Sequence, residues 1–166
     1  MVPAGKGLRR DFCLEKAREA LSEYAKSHRP VNPPISIESI AEWMGFQVVL
    51  LSSVDEEFSG IVSIPQKLIG VNANHHRHRR RFTIGHELAH ILLKHPPESR
   101  SSLKEIALYN AEADACAAEL LIPASMLIER MKTHWSIEVL ATDFDVSEEA
   151  MRVKLKTMGQ NLQDTH

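Results

Sequence analysis

The sequence predicts an α+β fold in which a small antiparallel sheet of about three strands packs on helices, with a helical C-terminal segment after it. Three candidate strands, rich in β-branched and apolar residues, lie at residues 47–51, 60–64 and 68–72. The short connections between them favour antiparallel pairing. Longer segments with helical periodicity precede and follow the strands, so the sheet is expected to pack on helices from both parts of the chain.

The helices before the sheet are predicted from apolar spacing and from residues that end a helix. A short helix is expected at residues 37–44, with Ser36 as its N-cap and Gly45 as its stop. The first helix, residues 13–26, ends before a proline-rich stretch. Its predicted buried face carries Leu14, Ala17, Leu21 and Tyr24.

The composition is that of an ordinary soluble domain. The 166 residues are 43% hydrophobic and 25% charged, and the net charge of −2 gives no general attraction to nucleic acid or anionic membrane. No apolar run approaches the ~20 residues that would cross a bilayer. Residues 1–12 contain basic side chains without a following apolar core, unlike a secretory signal. Cys13 and Cys116 are the only cysteines, so a reducing cytoplasm is the expected location.

A histidine motif near the middle of the chain carries the strongest chemical signal. His86, Glu87 and His90 form the pattern His-Glu-x-x-His, and residues four apart lie on the same face of a helix. Two imidazoles so placed can share one zinc ion, and the glutamate can act as general base beside it. The opposite face would hold the helix in the core through Ile84, Leu88, Ile91 and Leu92.

A basic stretch precedes this helix. Residues 75–81 read HHRHRRR, which could bind nucleic acid or an accessory metal ion. The simpler interpretation, which we favour, is a solvated loop that leads into the first turn of the helix. Positive side chains at a helix N-terminus oppose the helix dipole, so they are expected to have partners in the fold or in a substrate.

His95 is expected near the last carbonyls of the histidine helix rather than on a metal.

Two segments of the C-terminal half are predicted to be helical. Residues 103–121 give a long helix whose polar run at 110–114 precedes small apolar residues, as suits a site on a helix packed closely against another. The alternative is an ordinary helix whose acidic side chains face water. Residues 137–155 then resemble a helix-turn-helix, with Ser147 as N-cap of the second helix.

Several segments match, in one order, the signatures of a known family. Residues 81–90 read RFTIGHELAH, where the family usually has Ala in place of Gly85 and Gly in place of Ala89, and residues 117–123 read AAELLIP. Residues 30–45, 59–60 with 69–72, and 140–151 resemble its first helix and turn, its sheet and its terminal helical segment. Over nearly its full length the chain resembles the ImmA/IrrE family of zinc metallopeptidases.

The resemblance implies a zincin-like metallopeptidase core at residues 1–135 and a helix-turn-helix-like segment at 136–166 packed on the same core. It implies an intracellular protease that cleaves a helix-turn-helix transcriptional repressor and so relieves repression of a mobile element or a stress response. By position, His86 and His90 would be the zinc ligands and Glu87 the general base.

The third zinc ligand departs from the family pattern. The family places a glutamate thirteen residues before the proline of its second signature, and here Asn110 stands at that register. A neutral amide is a poorer zinc ligand than a carboxylate. By ligand type we favour Glu112, although two positions along a helix turn a side chain through roughly 200°. Asn110 itself and Asp114, one turn later on the same face, are the alternatives.

A rival interpretation is a non-catalytic regulator whose zinc site is structural or degenerate and whose terminal helices bind DNA or a partner. The terminal segment carries few positive charges, set among acidic residues, so DNA binding is expected to be weak. A toxin-like effector would share the protease chemistry and differ only in its target.

Overall fold

The computed structural model describes residues 7–28 and 30–160. Residues 1–6 and 161–166 lie outside the described residues. They include the start of the core predicted at residues 1–135, the end of the segment predicted at 136–166, and the start of the stretch that was compared with a secretory signal. The chain forms the α+β fold that the sequence predicts. In chain order its elements are α1 (Arg10–Ser27), α2 (Ile37–Trp43), β1 (Gln47–Leu51), β2 (Gly60–Ser63), β3 (Leu68–Asn72), α3 (Arg77–Leu92), α4 (Leu103–Leu121), α5 (Ala124–Met131), α6 (Ile137–Phe144) and α7 (Glu148–Thr157).

The three predicted strands form one sheet, but its pairing is mixed. The strand order is β1-β3-β2, so β3 lies in the middle. The β2–β3 hairpin is antiparallel as expected, with Ile61 opposite Gly70, whereas β1 runs parallel to β3, with Val48 opposite Ile69. The expectation of purely antiparallel pairing is therefore wrong for β1. The chain passes from β1 to the far edge before it returns through β3, so β1 meets β3 instead of its sequence neighbour β2.

Helix α3 begins earlier than the sequence suggested. It starts at Arg77, with the His76 side chain accepting a hydrogen bond from the backbone N–H of His78, so the basic residues 77–81 are helical rather than a loop. Their positive charge at the unfavourable end of the helix has a partner in the fold. Asp145 pairs with Arg77 and His78, and the buried Arg81 donates to the backbone carbonyl of Asp145 at 3.1 Å.

Helix α4 packs between α3 and α1. Its N-terminus carries a capping box formed by Ser102 and Glu105, which fixes where the helix starts. On the α1 side, Cys13 and Cys116 are buried, and burial raises the pKa of their thiols to about 11 and about 12. Both thiols therefore stay protonated near neutral pH, which makes them poor metal ligands.

The last two helices are tied to the rest of the molecule by charged contacts. Lys154 of α7 is buried against Glu119 of α4, and Asp145, which caps α6 in a left-handed conformation with φ 53°, holds the start of α3. Leu140, Phe144 and Met151 are fully or nearly fully buried in the same hydrophobic cluster as Leu88 of α3. In the described part of the chain, no helix has the length and apolarity needed to cross a membrane.

The contact between β2 and α3 requires a residue without a side chain at position 60. A Cβ on Gly60 would collide with the Thr83 methyl group and lie 2.9 Å from the Gly70 carbonyl oxygen. We expect Gly60→Ala to destabilise the protein by about 1–3 kcal/mol, because the backbone of β3 must move. Gly7→Ala is the control, since a Cβ there has no neighbour within 4 Å. Urea denaturation measures both variants, and equal free energies of unfolding would contradict this account of the contact.

Candidate metal centre

Helix α3 brings its two motif histidines together as the sequence predicted. The Nε2 atoms of His86 and His90 lie 3.0 Å apart, and the ring centroids are 4.7 Å apart. This proximity follows from the four-residue spacing on a regular helix. The helix is anchored by Ile84 and Leu88, which are buried on its other side. The two nitrogens thus converge on one point at the surface of the helix.

Each imidazole has a partner on its other ring nitrogen. The Nδ1 atom of His86 lies 2.7 Å from a carboxylate oxygen of Asp114, and the Nδ1 atom of His90 lies 2.8 Å from Nδ1 of His95. Metal-binding histidines commonly have such a partner, because it fixes the tautomer and the ring orientation. Both Nε2 atoms are therefore the ones presented to a shared ligand.

The third side chain at this point is Asn110. Its amide interacts with both imidazoles, and Asp114, one turn later on α4, lies on the same side. Among residues 7–28 and 30–160, no group of three or more histidine, cysteine, aspartate or glutamate side chains is arranged to hold a metal ion. The sequence register of the family's third ligand thus brings a neutral amide, not a carboxylate, to the histidine pair.

Glu112, which the sequence favoured as third ligand, has other partners. Its carboxylate accepts two hydrogen bonds from the Arg9 guanidinium, at 2.8 and 2.7 Å, and lies 2.9 Å from Nε2 of His95. The side chain is buried, and a spacing of two residues turns it through roughly 200° around α4 from Asn110. Its role as a metal ligand stays a prediction, and that role would require these contacts to break.

Glu87 lies with the histidine pair in a groove of about 1130 Å³. One wall of the groove is β2, and the residues from α3 and α4 include His86, His90 and Asn110. Glu87 is itself 9% exposed, so its carboxylate is largely removed from bulk water. The groove is large enough for several residues of an extended peptide.

The electrostatics of the three motif residues differ. Burial would lower the pKa of His86, but the hydrogen bond to Asp114, the charges of Asp114 and Glu87 and the contact with Asn110 together outweigh it, so the pKa is raised. Burial, together with His86 and His95, lowers the pKa of His90 to about 4, so this ring is neutral near pH 7. Burial raises the pKa of Glu87 against the opposing effect of His86. A carboxylate whose pKa is raised toward neutrality is better suited to accept and return a proton.

These residues fit a zinc ion in part. Two converging imidazoles with supported outer nitrogens are ligands that zinc accepts, whereas the amide of Asn110 is a weaker third one.

The sequence did not predict the side-chain positions of His95 and Arg9. The spacing of five residues from His90 to His95 does not place the two on one helical face, and only the turn after α3 brings them together.

The fold is found in a larger protein. A Mycobacterium tuberculosis transcriptional regulator of known structure is similar with a TM-score of 0.66 and 16% sequence identity, over 89% of this chain and 50% of that chain. The chain thus spans about half the length of that regulator, and the likeness concerns the fold alone. No curated protein matches the sequence significantly.

A family assignment comes from the sequence of the same region. Residues 41–156 match the peptidase M78 family, described as the IrrE N-terminal-like domain. This region includes the sheet, the histidine helix and all of α4, and it covers more than half of the chain. The chain therefore belongs to the IrrE N-terminal-like peptidase family.

Proposed function

We propose that this protein is a zinc-dependent endopeptidase. The observation that carries the proposal is the convergence of His86 and His90, with Nε2 atoms 3.0 Å apart, in the groove that Glu87 also lines. Zinc held there would polarise a peptide carbonyl and lower the pKa of water at its open position. Glu87 would take the proton of the attacking water and pass it to the leaving amine.

The groove supports a substrate in extended conformation. β2 is an edge strand, and within the described residues it pairs only with β3. Its free edge can hydrogen-bond to the backbone of a peptide, and the exposed Ile61 offers an apolar contact beside it. Such pairing holds the scissile bond in a fixed position relative to Glu87.

For the substrate we propose a helix-turn-helix transcriptional repressor, cleaved in the cytoplasm so that repression of a mobile element or a stress response ends. The family membership supports this substrate class, and the two unpaired cysteines are consistent with a reducing compartment. DNA binding by the terminal helices is not part of the proposal. Lys154, one of the few positive residues there, is buried in an ion pair with Glu119 and cannot neutralise a phosphate.

A second candidate function is favoured by Asn110. With an amide at the third-ligand register, the protein would bind zinc weakly and act as a non-catalytic regulator. A peptidase would cleave its substrate and bind zinc tightly, whereas a non-catalytic regulator would do neither, although both would have the same fold. Measurements of activity and of zinc affinity therefore distinguish the two functions.

The first prediction tests the general base. Because Glu87 is needed for proton transfer and not to hold the metal, Glu87→Gln should keep its zinc and lose cleavage by ~10²–10⁴-fold. The assay follows cleavage of helix-turn-helix repressor proteins, including any that is encoded next to the gene, with zinc measured by plasma mass spectrometry. Glu129→Gln, an exposed glutamate outside the groove, is the control. Equal activity of the Glu87 variant and the control would contradict the peptidase mechanism.

The second prediction tests the third-ligand position. Asn110→Glu restores an anionic oxygen beside the histidine pair, so zinc affinity should rise by at least about tenfold, or ~1.4 kcal/mol. Asn110→Gln is the matched control, because it has the same shape as the glutamate and no charge. A chelator-competition titration measures both. If the two variants bind zinc equally, position 110 does not face the metal, and Asp114 and Glu112 become the residues to test.

A further inference from the structure

A continuous set of hydrogen-bonding contacts joins the first helix to the second histidine of the motif. The Arg9 guanidinium donates twice to Glu112, Glu112 lies 2.9 Å from Nε2 of His95, and Nδ1 of His95 lies 2.8 Å from Nδ1 of His90. Each of these groups contacts the next through a specific atom. The contacts cross from α1 over α4 to the end of α3 and finish on a side chain of the proposed metal centre.

The chemistry of these atoms allows one arrangement of protons when the two imidazoles are neutral. The Glu112 carboxylate, held by Arg9, can only accept, so Nε2 of His95 must carry the hydrogen. Nδ1 of His95 is then an acceptor, and Nδ1 of His90 must donate to it. Nε2 of His90 is left with a free lone pair, and this is the atom that faces His86.

Local structure holds His95 where this chain of contacts needs it. Lys94 adopts a left-handed conformation with φ 54°, and the backbone N–H groups of Lys94 and His95 bond to the carbonyls of Ile91 and His90. This turn ends α3 and folds the chain back toward the helix. The His95 ring, 2% exposed, also stacks on Tyr109 with centroids 4.6 Å apart. The ring is thus fixed by packing as well as by hydrogen bonds.

We propose that His95, held by Glu112 and Arg9, is a positioning residue that fixes the His90 ring with its free Nε2 directed at the metal position. The inference rests on the proposed function, since it concerns how the chain prepares a ligand for that metal. In this arrangement Glu112 does not bind the metal but holds His95, which in turn orients the proposed ligand His90. It also makes α1 part of the centre, since Arg9 lies at the start of that helix.

The His86 side of the pair is supported differently. Asp114 contacts Nδ1 of His86 directly, and its side chain is 57% exposed, whereas Glu112 and His95 are almost completely buried. Water can replace a lost contact at the exposed carboxylate more readily than at a buried imidazole. Loss of the buried contacts should therefore disturb the centre more than loss of Asp114.

The first test reads the tautomer of His90 in the full-length, metal-free protein by long-range ¹H–¹⁵N NMR at neutral pH. We expect His90 to carry its hydrogen on Nδ1. His95→Phe keeps a ring to stack on Tyr109 and removes both hydrogen bonds, so the Nε2–H form of His90 should appear. Glu112→Gln provides a second variant, because an amide can donate as well as accept and no longer dictates the tautomer of His95. An Nε2–H form in the unmodified protein would overturn the proposal.

The second test measures zinc affinity by chelator competition. Removal of an outer partner of a metal ligand typically costs 10–100-fold in affinity, and we expect a loss on the order of tenfold or more for His95→Phe and Glu112→Gln. The two changes should not add, because they break one chain of contacts. If Glu112 were itself a ligand, its loss would add to that of His95.

A matched control separates positioning from general damage. Glu119→Gln alters another buried carboxylate of α4, which pairs with Arg18 and Lys154 and not with His95. We expect stability to fall in all three variants, but the tautomer and the zinc affinity should change only in the first two. Unchanged zinc affinity in His95→Phe, or an equal loss in Glu119→Gln, would overturn the proposal. If the unmodified protein binds no zinc, the proposed function fails while the tautomer test still decides the role of His95.

Discussion

The site depends on the close approach of α3 and α4. A Cβ on Gly85 of α3 would lie only 3.3 Å from the Cβ of Ala117 on α4, so the small residues at this crossing allow the helices to pack tightly. This contact places the polar part of α4 against the two motif histidines. The helical repeat of α4 then decides which of its side chains reach these histidines. Asn110 and Asp114, four residues apart, face the pair, whereas Glu112 between them contacts Arg9 and His95 instead.

Two carboxylates on one helix therefore have different surroundings and different roles. Asp114 lies in the groove, half-exposed, on Nδ1 of His86. Burial would raise the pKa of Glu112, but the hydrogen bonds from Arg9 and His95 lower it to about 2, so the carboxylate is ionised near neutral pH. A permanently ionised, fully bonded carboxylate is well suited to hold a neighbouring imidazole in one tautomer. Of the three polar residues, the amide of Asn110 lies at the histidine pair, and the carboxylates of Glu112 and Asp114 contact the outer nitrogens of His95 and His86.

The sequence predicted the elements better than their arrangement. The two long helices, the three strands and the convergence of His86 and His90 follow from local periodicity, which depends on nearby residues. The parallel pairing of β1 with β3 does not, because it depends on how the chain crosses the sheet. The basic residues after His76 were expected in a loop, and they are helical because Asp145, 68 residues from Arg77, supplies the opposite charge. The contacts of Glu112 were equally non-local, since Arg9 lies 103 residues away.

The proposed peptidase activity requires that His86 and His90 together hold one zinc ion. The most direct measurement is the zinc content of the purified chain and of the His86→Ala, His90→Ala double variant by plasma mass spectrometry, after equilibration at matched free zinc. We expect about one zinc per chain in the unmodified protein and almost none in the double variant. Stoichiometric zinc that survives in the double variant would show that residues other than His86 and His90 hold the metal, and would contradict this assignment.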